Sequence, residues 1–222
     1  MSIKNHSMSI ALRYVFIVLA LFSTSNSFAD DAAVATGGSA TVVKQLIDRV
    51  SAELDKLYKA NRIDDRAAIE QMIRTEIVPH IDAQYLARRV YRQFWPQITQ
   101  ADRQQDAQQR VIESVVRTYA VALSSYSGDT LSVISVNEEG KKSTARTRIR
   151  RPNGQIIQVD FALSNNTGAW LINDMEVDGI VESLTLFNAI KPIWEQQGME
   201  AGLNAVREAE GARASDAAKK KD

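Results

Sequence analysis

Between Pro96 and Gly128 the chain holds neither proline nor glycine, and that uninterrupted run constrains the fold more than any other stretch. Thr99, followed three residues later by Asp102, marks a helix start, because the threonine oxygen and the carboxylate can each accept from orphan backbone N–H groups. Gly128 supplies a left-handed stop just past the other end. The first half, residues 101–110, is almost wholly polar. The second half carries Val111, Ile112, Val115, Val116, Tyr119, Val121, Leu123 and Tyr126. Those side chains fall on more than one face of a 3.6-residue period, so the expectation for 99–126 is one long helix with a wet start and an end buried on most sides. The chain beyond Gly128 is strand-like, and a sheet is expected to cover that end.

The first 29 residues read as an export signal. Lys4 and Arg13 form a basic n-region, Val15 to Phe22 is an apolar run far short of a membrane span, and Ser27-Phe28-Ala29 offers small residues at both positions a signal peptidase inspects. Cleavage there makes Asp30 the mature start. Lys4 and Arg13 leave with the signal and no acidic residue does, so 27 Lys+Arg become 25 against 27 Asp+Glu. A near-neutral balance disfavours nucleic-acid binding, which depends on phosphate neutralisation. The chain has no cysteine; an exported protein without disulfides holds together by packing alone, which fits a bacterial periplasmic protein.

Residues 30–40, rich in Ala, Gly and Ser, read as a flexible lead-in. Residues 41–209 are long enough for one domain with a sizeable core. Val43, Leu46, Ile47, Val50, Leu54 and Leu57 recur at helical steps. Ile69, Met72, Ile73 and Ile77 mark a second helix that begins near Asp64 and ends at Pro79. Ile81, Tyr85, Leu86, Val90, Phe94 and Trp95 mark one or two short ones before Pro96. After Gly128 come four strand signals: Thr130–Val136, Ser143–Arg150, Gln155–Leu163 and Ala169–Val177, joined by short turns such as Pro152-Asn153-Gly154. In the third strand Ile157, Val159, Phe161 and Leu163 share one face. A helical stripe returns with Ile180, Leu184, Phe187, Ile190, Ile193 and Trp194, and a last helix covers Met199–Ala209. The tail from 210, with Lys219-Lys220-Lys221, reads as disordered and charged. Helices, a four-stranded antiparallel meander, then helices describe an α+β fold with helices packed on one face of a twisted sheet.

Little here suggests catalysis. His6 leaves with the signal, so His80 beside Pro79 is the sole imidazole, with no nucleophile motif near it. Zinc sites want several Cys or His ligands, and no phosphate-cradling glycine loop occurs. Asp64-Asp65 at a helix start complements the dipole. The expectation is no enzyme, no metal and no cofactor. Arg146, Arg148 and Arg150 alternate on the second strand and share one face, either as a solvated sheet face or as a patch for an anionic partner or lipid headgroup. The apolar faces of the long helix, the third strand and the last helix close as a dry core or line a cavity. Both are built from the same residue types, and both readings stand at this point.

Certain segments add a resemblance. Val78-Pro79-His80-Ile81-Asp82, then Leu86-Ala87-Arg88-Arg89-Val90 and Trp95, resemble a run of the toluene-tolerance family. Arg117-Thr118-Tyr119-Ala120 with Ala122-Leu123 and Tyr126 resembles its tyrosine signature. Gly168-Ala169-Trp170-Leu171-Ile172-Asn173-Asp174-Met175 with Gly179 resembles its Trp–Asp–Gly strand and turn. The likeness spans about residues 73–187. Tyr91-Arg92 stand where the family has Leu-Gly, Ala83 where it has an aromatic, and Ile180-Val181 and Thr185-Leu186 where it has Val-Ser and Tyr-Arg. The resemblance implies a monomeric periplasmic phospholipid carrier that shuttles lipid between an inner-membrane ABC transporter with a ring-forming lipid-binding domain and an outer-membrane lipoprotein–porin complex, so maintaining outer-membrane lipid asymmetry. It implies an apolar cavity with lipid-binding residues Val90, Phe94, Val115, Tyr119, Leu123, Ile149, Ile157, Val159, Phe161, Met175, Val177, Leu184 and Phe187. The alternatives are a carrier of another apolar ligand, a hopanoid or quinone, and a dry-cored envelope adaptor.

Overall fold

The computed structural model of the protein describes residues 38–206; the expected signal peptide, residues 30–37 of the lead-in, and the tail from 210 lie outside them. Within that span the elements are α1 (Gly38–Lys59), α2 (Arg66–Met72), α3 (Ala83–Tyr91), α4 (Ala101–Leu123), β1 (Thr130–Glu139), β2 (Lys142–Arg150), β3 (Ile156–Ser164), β4 (Leu171–Val177), β5 (Ile180–Val181) and α5 (Glu182–Gln197). Residues 199–206 are also helical. The strands form one antiparallel meander in sequence order. The α+β architecture is the one expected, with five strands in place of four. The extra strand is short: Asp178 and Gly179 both take positive φ, a turn that sends the chain straight back, so Ile180 pairs with Val177 before α5 begins.

Helix α4 keeps its polar start and buried second half, with two corrections. It begins at Ala101, and Gln100 rather than Thr99 is the N-cap, without a side-chain cap bond. Its regular turns end at Leu123. Tyr126 lies beyond them, buried, with its hydroxyl donating to Asp55 of α1 and its ring edge-on to Tyr58. The two-sided burial has a clear cause. Ile112, Val116 and Ala120, four residues apart, enter one apolar cluster with α1, α2 and sheet residues Ala145, Leu163 and Ile172. Ala107, Val111 and Val115 enter a second with α3, α5 and the C-terminal segment. The sheet therefore covers one side of the buried half of α4 together with α1, which lies on β1 and β2, and α4 is the wall between two cores.

Helix α1 also starts three residues earlier than the lead-in composition suggests. The Ser39 amide and hydroxyl both donate to Glu138 Oε2, at 2.9 and 2.7 Å, and the Ser39 hydroxyl meets Ser143 at 2.8 Å. A carboxylate from β1 thus caps a helix N-terminus far away in sequence. These bonds hold Glu138 below the usual carboxylate range. Gly38 is required here: its φ is +59°, and a Cβ would meet the Glu138 carboxylate at 2.5 Å. Asp65 caps α2 through the Ala68 amide at 3.1 Å.

Tyr91 is fully buried in the second cluster, against Trp95 and Trp194, and its hydroxyl finds no hydrogen-bond partner among the described residues. Burial pushes its ionisation above the usual phenol range. An unsatisfied buried hydroxyl is a cost that a phenyl ring avoids. Tyr91→Phe is therefore expected to raise stability by about 1 kcal/mol, read as a higher midpoint in urea unfolding with an unchanged slope.

Candidate functional site

Pairing across the sheet places its inner-face residues in rows. Glu138, Ser143, Leu163 and Ile172 form the row nearest the β1–β2 turn. Val136, Ala145, Phe161 and Met175 form the next. Beyond them lie Val133, Thr147, Val159, Val177 and Ile180, and finally Leu131, Ile149 and Ile157. Burial falls toward the far end of this series, although Ala145, Thr147 and Val159 in the middle rows are still buried. Ser143, Leu163 and Ile172 are buried under α1, whereas Leu131, Ile149, Ile157, Val177 and Ile180 are only half-buried, as are Phe161 and Met175. Neither apolar cluster includes Ile149, Ile157, Val159, Met175 or Val177. One end of the sheet's inner face is thus an apolar strip without a full helical cover.

The residues expected to line a cavity separate into groups. Ile149, Ile157, Val159, Phe161, Met175 and Val177 come together on the strip. Tyr119 and Leu123 of α4 are half-buried and pack at the edge of the first cluster beside Phe161, Leu131 and Val133. Leu184 is 40% exposed on the first turns of α5, three residues before Phe187. Val90, Phe94, Val115 and Phe187 sit in the second cluster, where Phe94 stacks on Trp194 with ring centroids 4.8 Å apart and packs on Phe187 at 6.1 Å. Sequence reading misses Leu131 and Val133 of β1. A bulge between Val133 and Ser135 shifts the alternation there, and no turn residue announces it. Thr147 sits in the apolar row without penalty because its hydroxyl donates to the Val159 carbonyl at 2.6 Å.

Two aspartates in the family-like segments have structural duties. Asp82 caps α3 through the Tyr85 amide at 2.9 Å, and its own amide donates to the Ile172 carbonyl at 2.8 Å, fastening α3 to β4. Asp174 is 4% exposed and fully occupied. Its Oδ1 accepts from the Met175 and Ser183 amides at 2.9 and 3.2 Å; its Oδ2 accepts from the Ser183 hydroxyl at 2.6 Å and Arg89 Nε at 2.7 Å. It thereby fixes β4, α3 and the start of α5 together, along one margin of the strip. His80 lies beside Arg49 at 2.7 Å; partial burial, then the Arg49 charge, lowers its pKa. That is a surface contact with no nucleophile in it. A depression of about 210 Å³ is lined by Arg89 and Arg92. A larger one on the outer side of α1, about 610 Å³ and lined by Asp55, Lys56 and Lys59 among others, is an open charged helix surface away from the strip.

Helices gathered against one face of an open antiparallel meander, with part of that face uncovered, define an α+β fold whose distinctive surface, among the described residues, is apolar. Residues 44–208 match the MlaC protein family, and the chain belongs to it. This is the family that the tyrosine signature and the Trp–Asp–Gly strand resemble. No curated protein matches the chain. Among solved structures it is similar to the phospholipid-binding protein from Ralstonia solanacearum, determined in complex with a phospholipid, at 20% identity and a TM-score of 0.67 over 82% of this chain and 99% of that one. At that identity the likeness is one of fold.

Asp174→Ala should leave two amides, a hydroxyl and a guanidinium without their acceptor. It is expected to cost about 2–3 kcal/mol of stability and to raise hydrogen exchange at Met175 and Ser183 before the α1 amides are affected.

Proposed function

We propose that this protein is a periplasmic phospholipid carrier that holds the acyl chains against the apolar strip of the sheet, between β1–β4 and the facing ends of α4 and α5. The observation that carries the reading is the strip itself: Ile149, Ile157, Met175 and Val177, apolar side chains of β2, β3 and β4 that stay half-buried and enter neither core. Each methylene moved from water to such a surface gains about 0.8 kcal/mol, so a diacyl lipid needs a protein cover to cross an aqueous space. Membership of the MlaC family and a neighbour of the same fold with a phospholipid bound support this ligand over a hopanoid or quinone. Transport between an inner-membrane ABC transporter with a ring-forming lipid-binding domain and an outer-membrane lipoprotein–porin complex, in the service of outer-membrane asymmetry, is part of the same reading. So are cleavage before Asp30, a monomeric state and the lack of enzymatic activity.

Organic-solvent extraction of protein purified from periplasm, followed by mass spectrometry, should give about one diacyl lipid per chain; a clean extract from folded protein would leave only the adaptor reading. Val159→Trp should cut that occupancy sharply while the thermal transition stays cooperative. In a closed core the same change overpacks and costs about 1–3 kcal/mol instead.

The outer face of the sheet bears the arginine row. Arg146 and Arg150 are exposed and Arg148 is half-buried, with its Nε 3.3 Å from Ser132 Oγ. Arg146 lies across from Asp160, with Nε to Oδ2 at 3.7 Å. A row of cations on a near-neutral protein acts mainly on association rate, through steering that salt screens over about 8 Å. Replacing all three with Gln is expected to slow association with the transporter's periplasmic domain and flatten its salt dependence, with lipid content unchanged. Equal association rates at low salt would make the row a solvated sheet face only.

A further inference from the structure

The strip accounts for acyl chains but not for Arg92. This residue stands just past the last turn of α3 and is held at φ 43°, ψ −116°, a conformation that side-chain-bearing residues rarely adopt. Its guanidinium carbon lies 5.1 Å over the ring of Phe187, and among the described residues no carboxylate pairs with it. Arg89, one turn earlier, lines the same depression of about 210 Å³. Arg89 commits its Nε to Asp174, at 2.7 Å. Asp174 already accepts four hydrogen bonds, so it has little left for a second cation, and the Arg89 Nη groups have no partner among the described residues. A cation near a helix C-terminus complements the dipole, and a salt bridge to Asp174 is sufficient reason for Arg89. Neither explains a second guanidinium, exposed to solvent, that is carried on a strained backbone and set over an aromatic ring. The depression also has the right neighbour. Phe187 and Leu184 lie three residues apart on α5, on one helix face, and α5 starts directly from β5 at the margin of the strip.

We propose that Arg92 and Arg89 seat an anionic phosphate group, the phosphodiester of a lipid whose chains lie on the strip. This rests on the carrier reading for the ligand's source, though the chemistry of two guanidiniums side by side is that of phosphate recognition in general. Arg92 supplies an unpaired fork of donors. Arg89 supplies its Nη groups from a position that Asp174 fixes. The Phe187 ring, buried with Phe94 in the second core, holds the Arg92 guanidinium over its face.

The test uses the full mature chain, stripped of lipid and reloaded from vesicles of phosphatidylglycerol or from detergent-dispersed diacylglycerol with the same chains, with occupancy read by mass spectrometry. Inorganic phosphate and glycerol phosphate are titrated separately, with binding read by NMR of the Arg side chains. Arg92→Gly removes the cation and suits the positive φ, so the variant should melt at or above the parent temperature. The expected result is a loss of about tenfold or more in phosphatidylglycerol retention with diacylglycerol unchanged, while Arg88→Gln, a neighbour stacked on Trp95 and outside the depression, behaves as the parent. If Arg92→Gly retains both lipids like the parent, the headgroup seat is overturned and the carrier survives. If the parent takes up neither lipid but the soluble phosphates bind in an Arg92-dependent way, the phosphate seat stands and the carrier reading falls. If neither lipid nor phosphate responds to Arg92, the seat is overturned.

Discussion

Two apolar stripes on one helix, Ala107–Val111–Val115 and Ile112–Val116–Ala120, oblige α4 to be packed on both sides. A single helix or a single sheet can satisfy one stripe, not two. The chain therefore builds two cores that share α4: α1 and α2 with the turn end of the sheet on one side, α3, α5 and the C-terminal segment on the other. The remaining inner face of the sheet, farther from the β1–β2 turn, belongs fully to neither. An apolar surface without a full cover is unusual in a single-domain protein unless something else covers it. The site is in this sense what is left over when the two cores have closed.

Much of this is legible in the sequence, and the limits have physical causes. Turn chemistry marks the strand boundaries well, because Gly140, Gly154 and Gly168 each sit where φ must be positive. Periodicity marks α4 and its two-sided burial. It does not reveal that α4 divides two cores, since a helix surrounded by one core carries the same pattern. The N-terminus of α1 reads as lead-in because Gly38, Ser39 and Ala40 have loop composition, and the group that makes them helical, Glu138, is remote. Thr99 fails as a cap for a related reason: capping signals state a local preference, which the tertiary path of the chain overrides. The strip residues of β3 emerge from alternation, and those of β2 and β4 come with the family resemblance. Those of β1 are lost at its bulge.

The family-like motifs acquire reasons in the structure. The side chains of Asp82 and Asp174, both inside family-like runs, accept from backbone amides, a hydroxyl and an arginine, and so lock elements together. The departures are equally informative. Tyr91 and Arg92 stand where the family-like run has Leu and Gly. The first places an unmatched hydroxyl in the core; the second places a side chain where the backbone favours none. Two neighbouring departures thus each carry a local cost at the end of α3.

The contact between Ser39 and Glu138 also bears on the order in which the molecule comes together. Its partners lie 99 residues apart in the chain, and those of the Ser39–Ser143 bond 104 apart. Closing so wide a loop is slow compared with forming any of the hairpins, whose partners are adjacent in sequence. The following α2 can cover part of the apolar stripe of α1, Val43 through Leu54, but the part that faces the sheet has to wait for the β1–β2 ribbon. The first helix of the described residues is thus among the last to complete its docking, and until then the chain displays an amphipathic segment open to non-native association.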